Sequence, residues 1–265
     1  VLQMRIQRIR WIFIAIIMTS LGFAQWIQAE DRRTDVPNGF FNMVVGFTSV
    51  SNTNVTISGN KASWVGLSGN DFSVDLKEMK QQNNIWGGFA LGYWFKQAPL
   101  SFGISGAMDF YPAIISEQTK QNVSYVVEGK PGTFTSFTKY RTRVTQIVPA
   151  FNIIVGLPLK FVRVYAGGGP GIFYSLYSFT VKNSAGKELG QVTAMDTKIG
   201  LNAFAGAEFF ITRRVSAFVE GKYSQVNDLT FQPDKSDPLV AGRIVRDEYD
   251  SIKTQRAGVG ISIHF

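Results

Sequence analysis

The chain has 265 residues, with 27 Lys and Arg against 19 Asp and Glu, a formal charge of +8 and no cysteine. That length suits one large domain, and the absence of thiols excludes thiolate metal sites and cysteine nucleophiles. The positive charges are scattered rather than gathered into a run, which argues against a nucleic-acid surface.

The first element in chain order is an export signal. Arg5, Arg8 and Arg10 precede an apolar run from Trp11 to Ala24, and small residues follow at Ala24 and Ala29. A basic region, a short apolar core and a small-residue exit make a secretory signal peptide. The run is shorter than the roughly 20 residues that a spanning helix needs. Met4 is the expected start. Residues 1–29 are read as signal peptide, with Ile27 three residues before a cut after Ala29; a cut after Ala24 is the alternative. The three signal arginines carry +3 of the +8, which leaves residues 30–265 mildly basic.

Eight strand-like stretches follow, each with period-two alternation. The first, Gly39 to Val50, sets Phe41, Met43, Val45 and Phe47 in step. The second runs Ile85 to Lys96. The third starts at Leu100 and the fourth ends at Leu157, while the fifth spans Phe161 to about Val181. The sixth runs Ile199 to Ile211 and the seventh Val215 to Tyr223. The eighth puts Ala257, Val259, Ile261, Ile263 and Phe265 on one face, with Gly258, Gly260, Ser262 and His264 on the other.

The connections alternate between short and long. Gln97–Pro99, Pro158–Lys160 and Thr212–Arg214 are tight turns, and the long polar stretches are Ser51–Asn84, Ser116–Ser136, Lys182–Met195 and Asn227–Ser251. In the first of these, Asp71 to Gln82 is compatible with a short helical turn. In the second, Ser124 to Thr138 is compatible with a projecting hairpin turning at Gly129-Lys130-Pro131-Gly132. Short turns at one end and long loops at the other are the plan of a membrane barrel, whose closure removes the sheet edges that lipid cannot satisfy.

A soluble sandwich or lipocalin-like barrel would alternate too. Here the apolar faces are long, and the opposite faces hold Gly, Ala and Ser rather than Lys and Glu. Tyr93, Trp94, Phe95 and Phe265 sit near strand ends, where interfacial aromatic girdles form. The predicted fold class is all-β: an eight-stranded antiparallel up-and-down transmembrane β-barrel over residues 30–265, preceded by a signal peptide.

The inward parity carries Phe204, Phe218 and a mixed-charge set: Asp109, Arg163, Glu208, Glu220, Lys222 and Arg256. Glu208 and Glu220 have the residue types for acid–base chemistry. An eight-stranded interior is barely wide enough for side chains, however, and charges within it must pair or carry a large desolvation cost. A structural salt-bridge network and a closed lumen are therefore expected. Gly167-Gly-Gly-Pro-Gly171 lacks the following Lys-Ser or Lys-Thr and the helix of a phosphate loop. It reads as strand in close contact with bulky neighbours. In the loops, Tyr125, Lys130, Phe134, Phe137 and Tyr140 form a candidate binding set. The last loop holds Phe231, Pro233, Leu239, Tyr249, Arg243 and Arg246.

Val164–Ile172, Gly206–Phe210 with Phe218–Tyr223, and Gly258–Phe265 resemble the glycine-rich fifth strand, the sixth and seventh strands and the closing strand of the small outer-membrane barrels. This is the group of the OmpA transmembrane domain, OmpX, the opacity proteins and OmpW, and the resemblance covers nearly all of residues 30–265. It implies residence in a Gram-negative-type outer membrane and a non-enzymatic role in envelope integrity or surface interaction and adhesion. Val259, Ile261, Ile263 and Phe265 would then act as the assembly signal. The partners it implies are outer-membrane lipid and lipopolysaccharide, the barrel assembly machinery and an extracellular ligand or host surface. A monomer with no cofactor, no metal and no nucleic acid is expected. The first alternative is a narrow OmpW-like pore for small or hydrophobic solutes, and the second a lipid-modifying barrel enzyme. Barrel enzymes of the PagL and omptin kinds use a histidine at the outer rim, whereas His264, the one histidine, falls at the other end.

Overall fold

Strands with one apolar and one small or polar face need two environments, and a closed sheet supplies both. The computed structural model describes residues 36–265 apart from 52, 61–70, 80, 83, 97–99, 116–120, 128–129, 137–141, 160, 183–187 and 233–243. Among the described residues the elements are β1 (Gly39–Val50), β2 (Thr53–Asn60), β3 (Asp71–Met79), β4 (Gln81–Gln82), β5 (Asn84–Lys96), β6 (Ser101–Ile115) and β7 (Gln121–Val127). They continue with β8 (Lys130–Ser136), β9 (Thr142–Pro158), β10 (Val162–Lys182), β11 (Glu188–Phe210), β12 (Val215–Phe231) and β13 (Ile244–His264).

Eight of these form a ring in the order β1-β5-β6-β9-β10-β11-β12-β13, closed by antiparallel pairing of β13 with β1. The closing register runs from Phe40 opposite His264 to Val50 opposite Thr254. Gly39 and Phe265 exchange backbone hydrogen bonds of 3.0 Å at the short-turn end. The other five strands extend this ring towards the long-loop end. β2 prolongs β1, β3 and β4 lead into β5, β7 prolongs β6, and β8 leads into β9. β13, β2, β3, β7 and β8 are neighbours in the same order as the strands below them. The fold is an eight-stranded antiparallel up-and-down barrel with a tall wall on one side.

Several predicted loops are strands. Asp71–Gln82 forms β3 and β4 instead of a helical turn, because Phe72, Val74 and Leu76 alternate and pair with Gly59, Ile57 and Val55 of β2. Glu188–Met195 belongs to β11, and Asn227–Phe231 and Ile244–Ser251 belong to β12 and β13. The hairpin of the second long connection is present as β7 and β8. Its turn lies earlier than expected, since Lys130, Pro131 and Gly132 already pair with Val127, Val126 and Tyr125.

In β12, β13 and along β1 and β2 the physical cause is a slip in the alternation. In β12 the buried residues are Ser224 and Val226, then Leu229 and Phe231, with Asn227 and Asp228 both exposed between them. In β13, Tyr249 is followed by Ile252 and Thr254, and along β1 and β2, Thr48 and Val50 are followed by Thr53, Val55 and Ile57. Three adjacent strands thus change phase at one height. Asp228 takes the slip with φ of 55°, in the left-handed region that Asp and Asn tolerate better than most residues.

Candidate functional site

The exterior and the lumen are built by opposite parities of the same strands. Outward residues form a continuous apolar belt, including Phe47 at 73% exposure and Ile199 at 77%, with Leu91, Phe102, Ile153 and Ile261 on neighbouring strands. In β1 the belt ends at Phe47 and in β13 at Ala257; Ser49 and Gln255 follow on the same face. Such a belt in water would be strongly unfavourable, since each exposed large side chain forgoes about 1.5–3 kcal/mol of burial. No helix among the described residues is long and apolar enough to cross a membrane. A closed ring of strands that carries such a belt satisfies its own backbone in lipid and leaves no open edge.

The chain is a membrane β-barrel.

Inside the barrel, the six charged residues read from the sequence all point inward, in two groups. Near the short turns, Arg163 of β10 sits opposite Glu208 of β11, with its guanidinium 3.3 Å from the Glu208 carboxylate. Ser216 Oγ donates to Glu208 Oε1 at 2.5 Å, and His264 Nε2 lies 2.8 Å from the same oxygen. Arg163 is also held between rings, 4.6 Å from the centre of Trp94 and 5.1 Å from that of Phe210.

Higher up, Lys222 and Arg256 face each other across β12 and β13. Like charges directly opposite are destabilising. Asp109 resolves the conflict by lying 3.1 Å from Lys222 Nζ and 2.9 Å from an Arg256 nitrogen. Glu220, two residues before Lys222 on the same face, is 3.4 Å from its Nζ and accepts a 3.2 Å hydrogen bond from Tyr165. Trp86 packs under both cations, at 5.3 Å from Lys222 Nζ and 5.0 Å from the Arg256 guanidinium. Arg256 also donates to Ser224, which donates to Asn202. The six residues supply three charges of each sign, as a buried network requires if it is to persist in a low-dielectric interior.

Between the groups lies a cavity of about 40 Å³, lined by Asn42, Asn152, Tyr165, Glu208 and Glu220 among others. A water needs roughly 10–15 Å³ on this measure, so the space suits a few waters and no organic solute. Towards the long loops the interior becomes apolar. Val55, Ile57, Tyr111, Val148, Phe173, Tyr177, Leu229, Phe231, Tyr249 and Ile252 form one buried cluster. Tyr177 stacks on Phe231 at 5.0 Å and donates to Asp247. Below the phase slip the lumen holds the charged network; above it, Leu229, Phe231 and Tyr249 turn inward on the strands where Asn227, Asp228 and Asp250 turn outward.

Glycines make room for the lumen's bulk. A Cβ on Gly206 would lie 2.6 Å from the Tyr165 hydroxyl, and one on Gly167 would lie 2.7 Å from the Phe204 ring. The Gly167–Gly171 segment is indeed regular strand, paired with β11 throughout.

His264, Ser216 and Glu208 are the residue types of a hydrolytic triad, but their geometry is different. A relay uses both ring nitrogens, one towards the hydroxyl and one towards the carboxylate. Here Nε2 faces both Ser216, at 3.1 Å, and Glu208, while Nδ1 has no partner among the described residues. The cluster is a buried clamp joining β11, β12 and β13.

Two other expectations change. Trp94, read as a girdle residue, is 3% exposed and lies inside the barrel, whereas Tyr93, Phe95 and Phe265 do face outward. Phe231 and Tyr249, read as loop residues, are lumen core because the phase slip turns them inward. Arg246 is exposed and pairs with Glu248 at 2.7 Å, while Pro233, Leu239 and Arg243 lie outside the described residues. Of the candidate loop set, Tyr125 lies in β7 opposite Gly132, and Phe134 lies in β8 opposite Val123. Lys130 is exposed, and Phe137 and Tyr140 lie outside the described residues. Val259, Ile261, Ile263 and Phe265 all face outward. The residues missed at the sequence level are Trp86, Tyr111, Tyr165 and Ser216. All share the inward parity of the charged set.

No protein-family model and no curated protein matches the sequence. Among solved structures the chain is similar to the outer membrane protein OprG from Pseudomonas aeruginosa, with 11% identity, a TM-score of 0.43 and coverage of 86% of this chain and 98% of that one. It is similar to the outer membrane protease OmpT from Escherichia coli, with 11% identity, a TM-score of 0.39 and coverage of 85% and 97%. A third is Ail, the attachment invasion locus protein of Yersinia pestis, in complex with the heparin analogue sucrose octasulfate. There the identity is 13%, the TM-score 0.33 and the coverage 85% and 99%.

Proposed function

We propose that this protein is a non-enzymatic outer-membrane barrel whose lumen is closed and whose role lies in surface interaction or envelope integrity. The observation that carries the reading is the combination of a filled interior with strands that continue past the apolar belt. Arg163 is tied to Glu208 on the adjacent strand, Lys222 and Arg256 are tied to Asp109 across the lumen, and the aromatic and aliphatic cluster fills the end towards the long loops. β2, β3, β7 and β8 extend the wall beyond the belt and offer a raised, β-structured platform. Extended strands of this kind can present backbone groups to a partner while aromatic side chains add contact area. The hairpin of β7 and β8, with Tyr125, Lys130 and Phe134, is the candidate contact region, and lipopolysaccharide and an extracellular surface are the partners that its position favours.

Two experiments test this. The full barrel in planar bilayers should show no steady conductance; a large, stable, water-filled conductance would overturn the closed lumen and favour the pore. Replacing Glu128 to Phe137 by a short Gly-Ser linker should leave insertion intact and abolish surface binding. Binding that survives the swap would move the contact region to another loop.

A further inference from the structure

The outward faces of β10 and β11 stay apolar further from the short turns than those of β1, β12 and β13. On those three strands the last outward apolar residues are Phe47, Tyr223 and Ala257, and Ser49, Gln225 and Gln255 follow on the same faces. On β10 the outward run goes from Val162 through Ile172 and Tyr174 to Leu176, 15 residues. On β11 it goes from Phe209 back through Leu201 and Ile199 to Met195, also 15 residues, with Thr197 as its one polar member. A strand crosses the hydrocarbon layer in about 9–11 residues. About five residues of each strand therefore carry the apolar face past that layer, roughly 12 Å in height at the usual tilt.

The raised part is a patch of large side chains. Ile172, Tyr174, Leu176, Met195, Ile199 and Leu201 are all exposed, and Ile172 lies opposite Ile199 and Leu176 opposite Met195. Its boundary with β12 follows from the phase slip. β12 changes phase at Asn227-Asp228 and β11 does not, so their ladder ends at Leu201 and Gln225. Above that point the Asp196 carboxylate bridges the seam, accepting from Thr197 N and Thr230 N at 2.7 Å each. Across the seam Tyr223 donates to Gln225 at 2.9 Å and Gln225 to Asn227 at 3.0 Å, so the outer face of β12 is already polar at this level. Asp196 and Lys198 take the inward parity, and no charged side chain has the outward parity on β10 from Val162 to Ser178 or on β11 from Thr193 to Ile211. Below the patch the same two strands are flat, with Gly168 opposite Ala203 and Ala166 opposite Ala205. Small residues let two walls approach closely in lipid.

We infer that the outer face of β10 and β11 is the interface of a homodimer in the membrane. The occupant is a second copy of this chain, related by a twofold axis along the membrane normal. Such an axis sets a residue near it against its own counterpart at the same height. The flat stripe then meets the flat stripe, and the raised patch meets a surface that is apolar at the same level. Lipid covers the patch only by thickening locally, at a cost that grows with each ångström. Two strands of about 15 residues present about 500 Å² per copy, or about 1,000 Å² in total, which reaches the size of a specific interface. The inference rests on the membrane reading above and replaces the monomer expected from the sequence.

The chain has no cysteine, so one introduced thiol reports only on contact between copies. The test uses the full barrel carrying Ile199→Cys or Ala205→Cys, inserted in phosphatidylcholine vesicles at high lipid excess and oxidised with copper phenanthroline. Both variants should give a crosslinked dimer several-fold more abundant than Leu91→Cys, which lies on β5 at the opposite side of the ring. Adding Met195→Ser and Leu201→Ser to Ala205→Cys should lower the crosslinked fraction several-fold, while heat-modifiable gel mobility still shows an inserted barrel. Inserted Ile199→Cys and Ala205→Cys barrels that crosslink no more than Leu91→Cys overturn the inference and leave lipid as the cover of this face. So does a patch variant that crosslinks as well as its parent; the membrane reading stands in both cases. Failure of the unsubstituted barrel to insert would overturn both.

Discussion

Replacing Asp109 by Asn tests the lumen network most directly. The substitution keeps the shape and removes the one negative charge shared by Lys222 and Arg256, at 3.1 and 2.9 Å. Lys222 would keep Glu220 at 3.4 Å, and Arg256 would keep its bond to Ser224 and the faces of Trp86 and Tyr111. Neither residual set restores charge balance, because two cations would then share one acid. Removing one partner of a buried ion pair costs about 3–5 kcal/mol. The retained contacts place the expected loss at the lower end, about 3 kcal/mol. The direct opposition of Lys222 and Arg256 across the strands adds to it rather than relieving it. The assay is urea unfolding of the barrel in lipid vesicles, followed by tryptophan fluorescence, to which Trp86 at the centre of the network contributes. Adding Arg256→Met to Asp109→Asn removes one charge of each sign and should recover much of the loss, with a coupling energy above about 1.5 kcal/mol in the cycle. A single variant that costs under about 1 kcal/mol, or a cycle that is additive, would refute the claim that these charges hold one another in the lumen.

Three further expectations follow from packing and from the chain's two ends. Gly206→Ala should destabilise by about 1–3 kcal/mol in the same assay, because its Cβ would press on Tyr165, whereas Gly106→Ala, which meets nothing within 4 Å, should be close to neutral. Deleting Phe265 should slow or block insertion in cells more than it lowers the stability of a refolded barrel. Its ring faces outward, and its backbone contributes a single pair of bonds to Gly39; normal insertion of the shortened chain would count against this. N-terminal sequencing of the protein from the membrane fraction should begin near Glu30, and a chain that still carries Trp11 would refute the export signal.

The ring of eight and the inward set of charges were legible because period-two alternation needs no tertiary information. One residue type repeating every second position can face only one side of a strand. Met43 to Phe47, Ile147 to Leu157 and Ala257 to Phe265 state their faces directly. The alternation also named Asp109, Glu208, Glu220, Lys222 and Arg256 as lumen residues. It could not say which of them meet. Asp109 and Lys222 are 113 positions apart, and they touch only because closure of the sheet brings β6 across the lumen from β12.

Where the alternation slips, the sequence misleads. Asn227-Asp228 and Asp250-Ser251 read as polar loop because two consecutive residues turn outward, and the strand beyond each slip has reversed parity. In Asp71 to Gln82 the alternation of Phe72, Val74 and Leu76 is short, and pairing with β2 and β6 is what fixes the segment as strand. Trp94 obeys the same rule against its girdle reading, and so does His264. Their inward parity was visible, but their burial followed only from closure, which turns the inner face of every strand into a shared core.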